Sequence, residues 1–400
     1  MLVRKKMPNR LTRLQVQNFR SLQDVNIELG AVNVLFGANG AGKSSLLDTI
    51  WFVRDCVVRG VDEASSFRNH GYAALWDGAD EGAHISIKVE SKSLEYEIRF
   101  AFSSGRIDPL VGETLSLKTN GNQLIDRQIS SNTFEFHEPN NGKSQSIRLR
   151  ESARLALTTY QVLDLSPEAA QLENLLRVIH FYGKADLSKL KTLGSQSSHQ
   201  TLLEHRGRNL WSVLRNLHDR RDFDERYNII MKFMKKSFPR FEGLFIEQTG
   251  PQSVYGHTFQ KALRQPIPAF GMSDGQLQML IHLTALFSQG RHHQSLLLFD
   301  EPETSLHPYA LVVFAEAVEL ATTEWNKQVL IASHSPVLIS QFELENVFAL
   351  ELGAAGQTII TRVSEMTDIQ DLLEEYATGS LYMGEMIAPQ SKPLLMEAAA

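Results

Sequence analysis

The segment GANGAGKSS at 37–45 constrains this chain more than any other part of it. Gly37 and Gly42 bracket four residues ahead of Lys43 and Ser44, with an apolar run at 32–36 before them and an apolar helical stretch at 46–58 after. A strand, a glycine-rich turn and a helix in that order bring successive backbone N–H groups inward around an anion, and the helix adds its positive end. Lys43 then reaches the β- and γ-phosphates of a nucleotide, and the Ser44 hydroxyl ligates Mg2+. Asn39, Gly40 and Ser45 complete the phosphate-contacting loop.

Two further apolar runs end in chemistry. Leu296, Leu297, Leu298 and Phe299 run straight into Asp300 and Glu301, as a strand buried on both faces of a parallel sheet does at its carboxyl end. Asp300 is placed to support the metal and Glu301 to polarise the attacking water. A solvated pair of acids rarely ends such a run. Glu303 supplies a second acid nearby, so the choice between the two stays open at this stage. The run 329–332 leads into Ser333, His334, Ser335 and Pro336, where an imidazole senses the γ-phosphate and the proline starts a new element.

MSDGQ at 272–276 adds a different requirement. Ser273 is a natural N-cap for a largely buried helix carrying Leu277, Leu280, Ile281, Leu283, Leu286 and Phe287, predicted to close at Gly290. The helix start and Ser273 form an outward-facing anion site, useful to such a chain when a second copy presents the phosphate. That predicts a homodimer, or a higher oligomer, closed around ATP.

Together with Asn18, Phe19, Arg20 and Ser21, these segments resemble the ABC-type ATPases of the SMC/RecF/OLD group, in particular the short bacterial AAA_21-type ATPases. The resemblance covers the two ends of the chain and leaves the middle largely unmatched. It implies that Lys43 and Ser44 bind phosphate and Mg2+, that Asp300 supports the metal, that Glu301 is the hydrolytic base, and that His334 is the switch. It also implies that Ser273, Gly275 and Gln276 complete the partner's site, that Thr304 to His307 link two sites, and that Arg20 lies near the nucleotide. Asp274 stands where the group's signature often has glycine or a small residue. The glutamine that joins the lobes has no clear position, with Gln161 one candidate among several.

The expected fold is α/β, a P-loop NTPase of ABC-ATPase type, with a mixed sheet core, an antiparallel β lobe and a helical lobe. Residues 1–150 are read as the first ATPase lobe, 151–242 as the helical insert and 243–400 as the second ATPase lobe. Alternation at 84–90 and 94–102, and Asn120-Gly121 between two short strands, predict antiparallel pairing. Spacings of three and four across Leu172, Leu175, Leu176 and Ile179, and across Leu210, Val213, Leu214 and Leu217, predict helices. No sustained heptad array is present, so long coiled-coil arms and a zinc hook are not expected. The stretch after His334, with a hairpin at 347–363 and a short acidic helix near 368–376, is too short for the TOPRIM nuclease domain of longer OLD relatives.

Composition narrows the setting. The single cysteine, Cys56, excludes an intramolecular disulfide, and no apolar run approaches about 18 residues, so a cytoplasmic protein without membrane contact is expected. A formal charge of −6 argues against a uniformly basic surface. Two stretches run against it: Arg4, Lys5, Lys6, Arg10, Arg13 and Arg20 precede any acid, and 206–240 carries ten Lys and Arg residues with Asp219, Asp222, Asp224 and Glu225 interspersed. The second is either a solvated helix face or a surface for DNA, RNA or an acidic partner. The functional expectation is an ATP-hydrolysing switch that gates a nearby-encoded effector such as a nuclease or toxin, or acts on DNA, in anti-phage defence or repair. The alternative is the nucleotide-binding subunit of a membrane transporter.

Overall fold

A computed structural model describes residues 10–137, 144–151, 153–162, 167–366, 371–372 and 376–389. The basic residues Arg4, Lys5 and Lys6 and most of the predicted acidic helix near 368–376 fall outside these residues. Six strands form the central sheet, in the order Ile179–Tyr182, Ser295–Asp300, Lys327–Ser333, Val32–Gly37, Val347–Leu352 and Thr358–Arg362. The first five run parallel, and the last pairs antiparallel to its neighbour. Parallel strands with crossovers on both faces must be apolar on both faces. Here Leu35, Leu296, Leu298, Leu330 and Leu350 face one core, while Val34, Phe36, Leu297, Phe299 and Ile331 face the other.

The first core lies under an eight-stranded sheet in which every neighbouring pair is antiparallel. Its strand Leu94–Phe100 buries Leu94, Tyr96, Ile98 and Phe100 and turns Glu95, Glu97 and Arg99 away. The helix Lys43–Arg59 is clamped between the two sheets, with Phe52 stacked 4.9 Å from Phe100 and 6.3 Å from Phe19. Cys56 sits inside this clamp, and burial pushes its thiol pKa up, which keeps it an unreactive apolar filler.

The second core is covered by the helices Asp274–Phe287 and Pro308–Glu324, with Leu210–His218 and Arg226–Ser237 outside the first of these. A small sheet built on Phe241–Gln248 and Ser253–Gln260 completes this side.

Two expectations need correction. The segment 151–242 is not wholly a helical insert: Ile179 ends no helix but opens the strand Ile179–Tyr182, which pairs with Ser295–Asp300 in the central sheet. Once Arg177 closes the helix, β-rich Ile-His-Phe-Tyr fills the vacant sheet edge, and tertiary pairing overrides the 3.6-residue spacing. Finally, the helix from Asp274 ends at Phe287 with Ser288 as its cap, before Gly290, which does not adopt the left-handed conformation that would mark it as the stop.

Candidate functional site

Because five strands run parallel, their carboxyl ends reach one edge of the central sheet, where open α/β sheets bind ligands. Gly37, Asp300, Ser333 and Tyr182 end four of these strands. Gly37 has φ +148°, and a Cβ there would lie 2.1 Å from the Leu350 carbonyl oxygen, so only glycine lets this strand turn into the loop. Gly40 also has positive φ, but nothing lies within 4 Å of a Cβ built on it; the loop opens outward there. Asn39 and Gly40 are exposed, whereas Gly42 is buried and its Cβ would lie 2.3 Å from Thr358 Oγ1.

Lys43, 5% exposed, folds over its own loop and donates to the Gly37 and Ala38 carbonyls at 2.8 Å each. Burial pushes its pKa down to about 8, against the opposing pull of Glu301, Asp300 and Glu303. Next to it, Ser44 Oγ donates to Asp300 Oδ1 at 3.0 Å, joining residues 256 apart in sequence. Burial raises the Asp300 pKa, partly offset by this hydrogen bond. A hydroxyl and a carboxylate side by side are hard oxygen donors, the kind Mg2+ takes together with phosphate oxygens and water. Ser45 lies half-buried one residue on.

Glu301 lies just past its strand in the left-handed region, φ +51°, an uncommon conformation for a residue with a Cβ. Its amide donates to the Ala332 carbonyl at 2.8 Å, which ties it to the neighbouring strand end, and its carboxylate stays open to solvent, 3.8 Å from His334 Nε2. Burial lowers the His334 pKa and Lys43 lowers it further, against the opposing pull of Glu301 and of a bond to the Gly37 backbone. Glu303 is engaged differently. Its Oε1 accepts the His334 backbone N–H at 2.5 Å, and burial raises its pKa. Both acids line one cavity, but Glu303 is the more buried of the two and holds the backbone at His334, whereas Glu301 is open to solvent.

Ser273 is exposed and caps its helix by accepting the Gln276 N–H at 3.2 Å, while Gln276 is buried. A Cβ on Gly275 would lie 2.5 Å from the Ser305 carbonyl oxygen, so glycine lets the signature helix seat on the 301–307 loop. Asp274 departs from the group's pattern, but it sits in the first helical turn, favourable to a negative charge, and pairs with Lys191 at 2.5 Å. Among the described residues, two cavities contain Glu301, and Ser273 lines neither. Arg20, at φ +53° in the tight turn after Phe19, pairs with Asp48 at 2.8 Å and lines a cavity of about 600 Å³ with Ser44 and Asp300.

Gln161 lies in the helix Ala156–Val162, and its side chain is outside the described residues. The strand end beside Asp300 presents Gly183 and Lys184 instead, with a Gly183 Cβ 3.6 Å from Asp300 Cβ. Lys184 and Gln278 line a cavity of about 530 Å³ with Asp300, Glu301 and Thr304. Sequence reading missed both; the glycine directly after the apolar run at 179–182 was the available signal.

Several known proteins share parts of this arrangement. A hemin import ATP-binding protein, HmuV, of Aliivibrio fischeri is 33% identical over 120 residues, covering 28% of this chain and 39% of its own. The DNA replication and repair protein RecF of Bacteroides fragilis is 32% identical over 91 residues, 20% of this chain and 25% of its own. An OLD nuclease of Thermus scotoductus is 50% identical over 40 residues, 10% of this chain and 8% of its own. The chain thus spans well under half the length of each. An SMC head bound to the C-winged helix domain of ScpA superposes with a TM-score of 0.55 at 14% identity, covering 89% of this chain and 99% of that one, which shows a shared fold. A family model described as "AAA domain, putative AbiEii toxin, Type IV TA system" matches residues 32–340, from the phosphate-loop strand through the turn after His334. The chain belongs to that family, AAA_21, and is an ABC-type ATPase of the SMC/RecF/OLD group.

Proposed function

We propose that this chain hydrolyses ATP in a head-to-tail dimer and uses the cycle as a switch that gates a partner effector or acts on DNA. The observation that carries the reading is the contact between Ser44 and Asp300 at 3.0 Å, with Glu301 and His334 3.8 Å apart at the adjoining strand ends. Ser44 and Asp300 would hold Mg2+, which when bound offsets phosphate charge. Lys43 binds and orients the phosphates, Glu301 accepts the proton of the attacking water, and His334 faces the γ-phosphate. Ser273, exposed and absent from the lining of the cavities described at its own Glu301, supports completion of the site by a second copy. A nuclease or toxin encoded nearby is the partner we favour. The transporter alternative rests on the HmuV match alone, over 28% of this chain, and among the described residues no helix is long and apolar enough to cross a membrane.

ATP binding tests the reading directly through Lys43. With its pKa near 8, about half of the Lys43 side chains are neutral at pH 8, and a bound polyphosphate favours the charged form. Binding at pH 8 therefore takes up about half a proton, and affinity falls as pH rises above that value. Calorimetry in two buffers of different ionisation enthalpy reads the uptake. A buffer-independent binding enthalpy at pH 8 contradicts this account of Lys43.

The basic stretch at 206–240 divides into paired and available charge. Arg208 pairs with Asp186, Arg226 with Asp224 and Lys236 with Glu316, while Arg215 bonds Gln248 and Ser197. Arg220, Arg221 and Lys235 are exposed, with Phe223 89% exposed beside the first two. Reversing these three charges is expected to weaken duplex DNA binding while ATP hydrolysis stays within about twofold. The log–log salt slope should shrink by about 0.9 for each phosphate the protein no longer neutralises. Electrophoretic mobility at several salt concentrations measures both. Unchanged, salt-insensitive binding returns this surface to an ordinary solvated helix face.

A further inference from the structure

The strand Ile179–Tyr182 forms the edge of the central sheet beside Ser295–Asp300, in a register that sets Tyr182 against Phe299. The chain therefore leaves this strand alongside Asp300. A Cβ on Gly183 would lie 3.6 Å from Asp300 Cβ, so the strand end is pressed against the metal-supporting residue and delivers Lys184, one residue on, to the same cavity wall. Asp300, Glu301 and Asp186 also line that cavity, and Lys184 is the one cation among its lining residues.

Three acids share this cavity with Lys184, yet among the described residues it forms no ion pair with any of them. Asp186 is taken by Arg208 at 3.0 Å and Lys189 at 3.4 Å, and Asp300 accepts from Ser44 at 3.0 Å. Nearby Lys189 and Lys191 are paired, with Asp186 and Asp274, whereas Lys184 is exposed and its ammonium is available. A flexible, solvated ammonium meets an anion at little desolvation cost. The strand order places the Asp300 and Ser333 strands between the edge strand that leads to Lys184 and the strand Val32–Gly37 that leads to Lys43. The two lysines thus flank Glu301 and His334. An attacking water oriented by Glu301 must lie against the terminal phosphate, so that phosphate, rather than the two held by the loop at 37–45, adjoins the Lys184 wall. We propose that Lys184 binds the terminal phosphate of ATP from the side opposite Lys43. The inference rests on the ATP-binding reading above and adds to it a second cation that distinguishes ATP from ADP.

Lys184→Met keeps an unbranched stem and removes the charge. Because the residue is exposed, the melting temperature without nucleotide is expected to stay within about 2 °C of wild type. Calorimetry with the β,γ-imido analogue of ATP, at protein concentrations where sedimentation shows a monomer, is expected to give an affinity about tenfold lower than wild type. Affinity for ADP, which lacks the γ-phosphate, should stay within about twofold, and Lys184→Arg should hold both affinities within about threefold. Equal loss for the two nucleotides in Lys184→Met means a general field effect, and wild-type affinity for both means an ordinary solvated lysine; either result overturns the proposal. A wild-type protein that binds neither nucleotide overturns the parent reading instead, so the two failures are distinguishable.

Discussion

Glu301→Gln is expected to lower ATP turnover by about 100- to 10,000-fold, the usual cost of removing a general base, equivalent to about 2.7–5.5 kcal/mol of barrier. ATP affinity should stay within about threefold, because the amide keeps the volume of the carboxylate and Lys43 and Ser44 are untouched. The bound state then persists, and sedimentation with ATP and Mg2+ should show a dimer that the wild-type protein forms only transiently. The structure also says which control matters. Glu303 commits Oε1 to the His334 backbone N–H, whereas the Glu301 side chain is 57% exposed at the cavity. Glu303→Gln retains a carbonyl acceptor for that N–H and should lose far less activity. If Glu301→Gln turns over normally, the base is not Glu301.

Ser273→Arg is expected to reduce hydrolysis by at least about 100-fold, the scale seen when one donor to a developing anion is removed. Nucleotide affinity in the monomer should change little, since Ser273 lines neither cavity that contains Glu301. The residue is exposed, so the larger side chain enters solvent and loses only the cap to Gln276, worth about 1 kcal/mol of helix stability. Mixing Ser273→Arg with Lys43→Ala protein should restore activity, at most one working site per heterodimer, because each variant supplies the half that the other lacks. A monomer with full ATPase activity would sink the head-to-tail arrangement.

Much of this site was legible in the sequence because its parts are local. The phosphate loop needs glycines at set positions of one turn, the Ser273 cap bonds a residue three places on, and the run to Asp300 is a single strand. The hairpins were legible for the same reason: Leu115 pairs with Ile125 across Asn120-Gly121, and Val347–Leu352 pairs with Thr358–Arg362. The strand at 179–182 was misread because four residues cannot distinguish a helix period from a sheet edge that only the remaining strands create.

The sequence by itself determined which backbone shapes were possible at the loop, the cap and the strand ends, since those depend on φ, on side-chain length and on neighbours a few residues away. Tertiary structure alone decided which groups meet. Ser44 reaches Asp300, Glu303 holds the backbone at His334, and the Tyr382 hydroxyl bonds the Gly37 carbonyl, contacts 31 to 345 residues apart that arise from sheet order and packing, and no short-range preference carries that information. For the same reason Glu301 and Glu303, two residues apart and chemically alike in the sequence, receive different surroundings at one cavity: the first carboxylate stays open to solvent, and the second is held by a backbone amide.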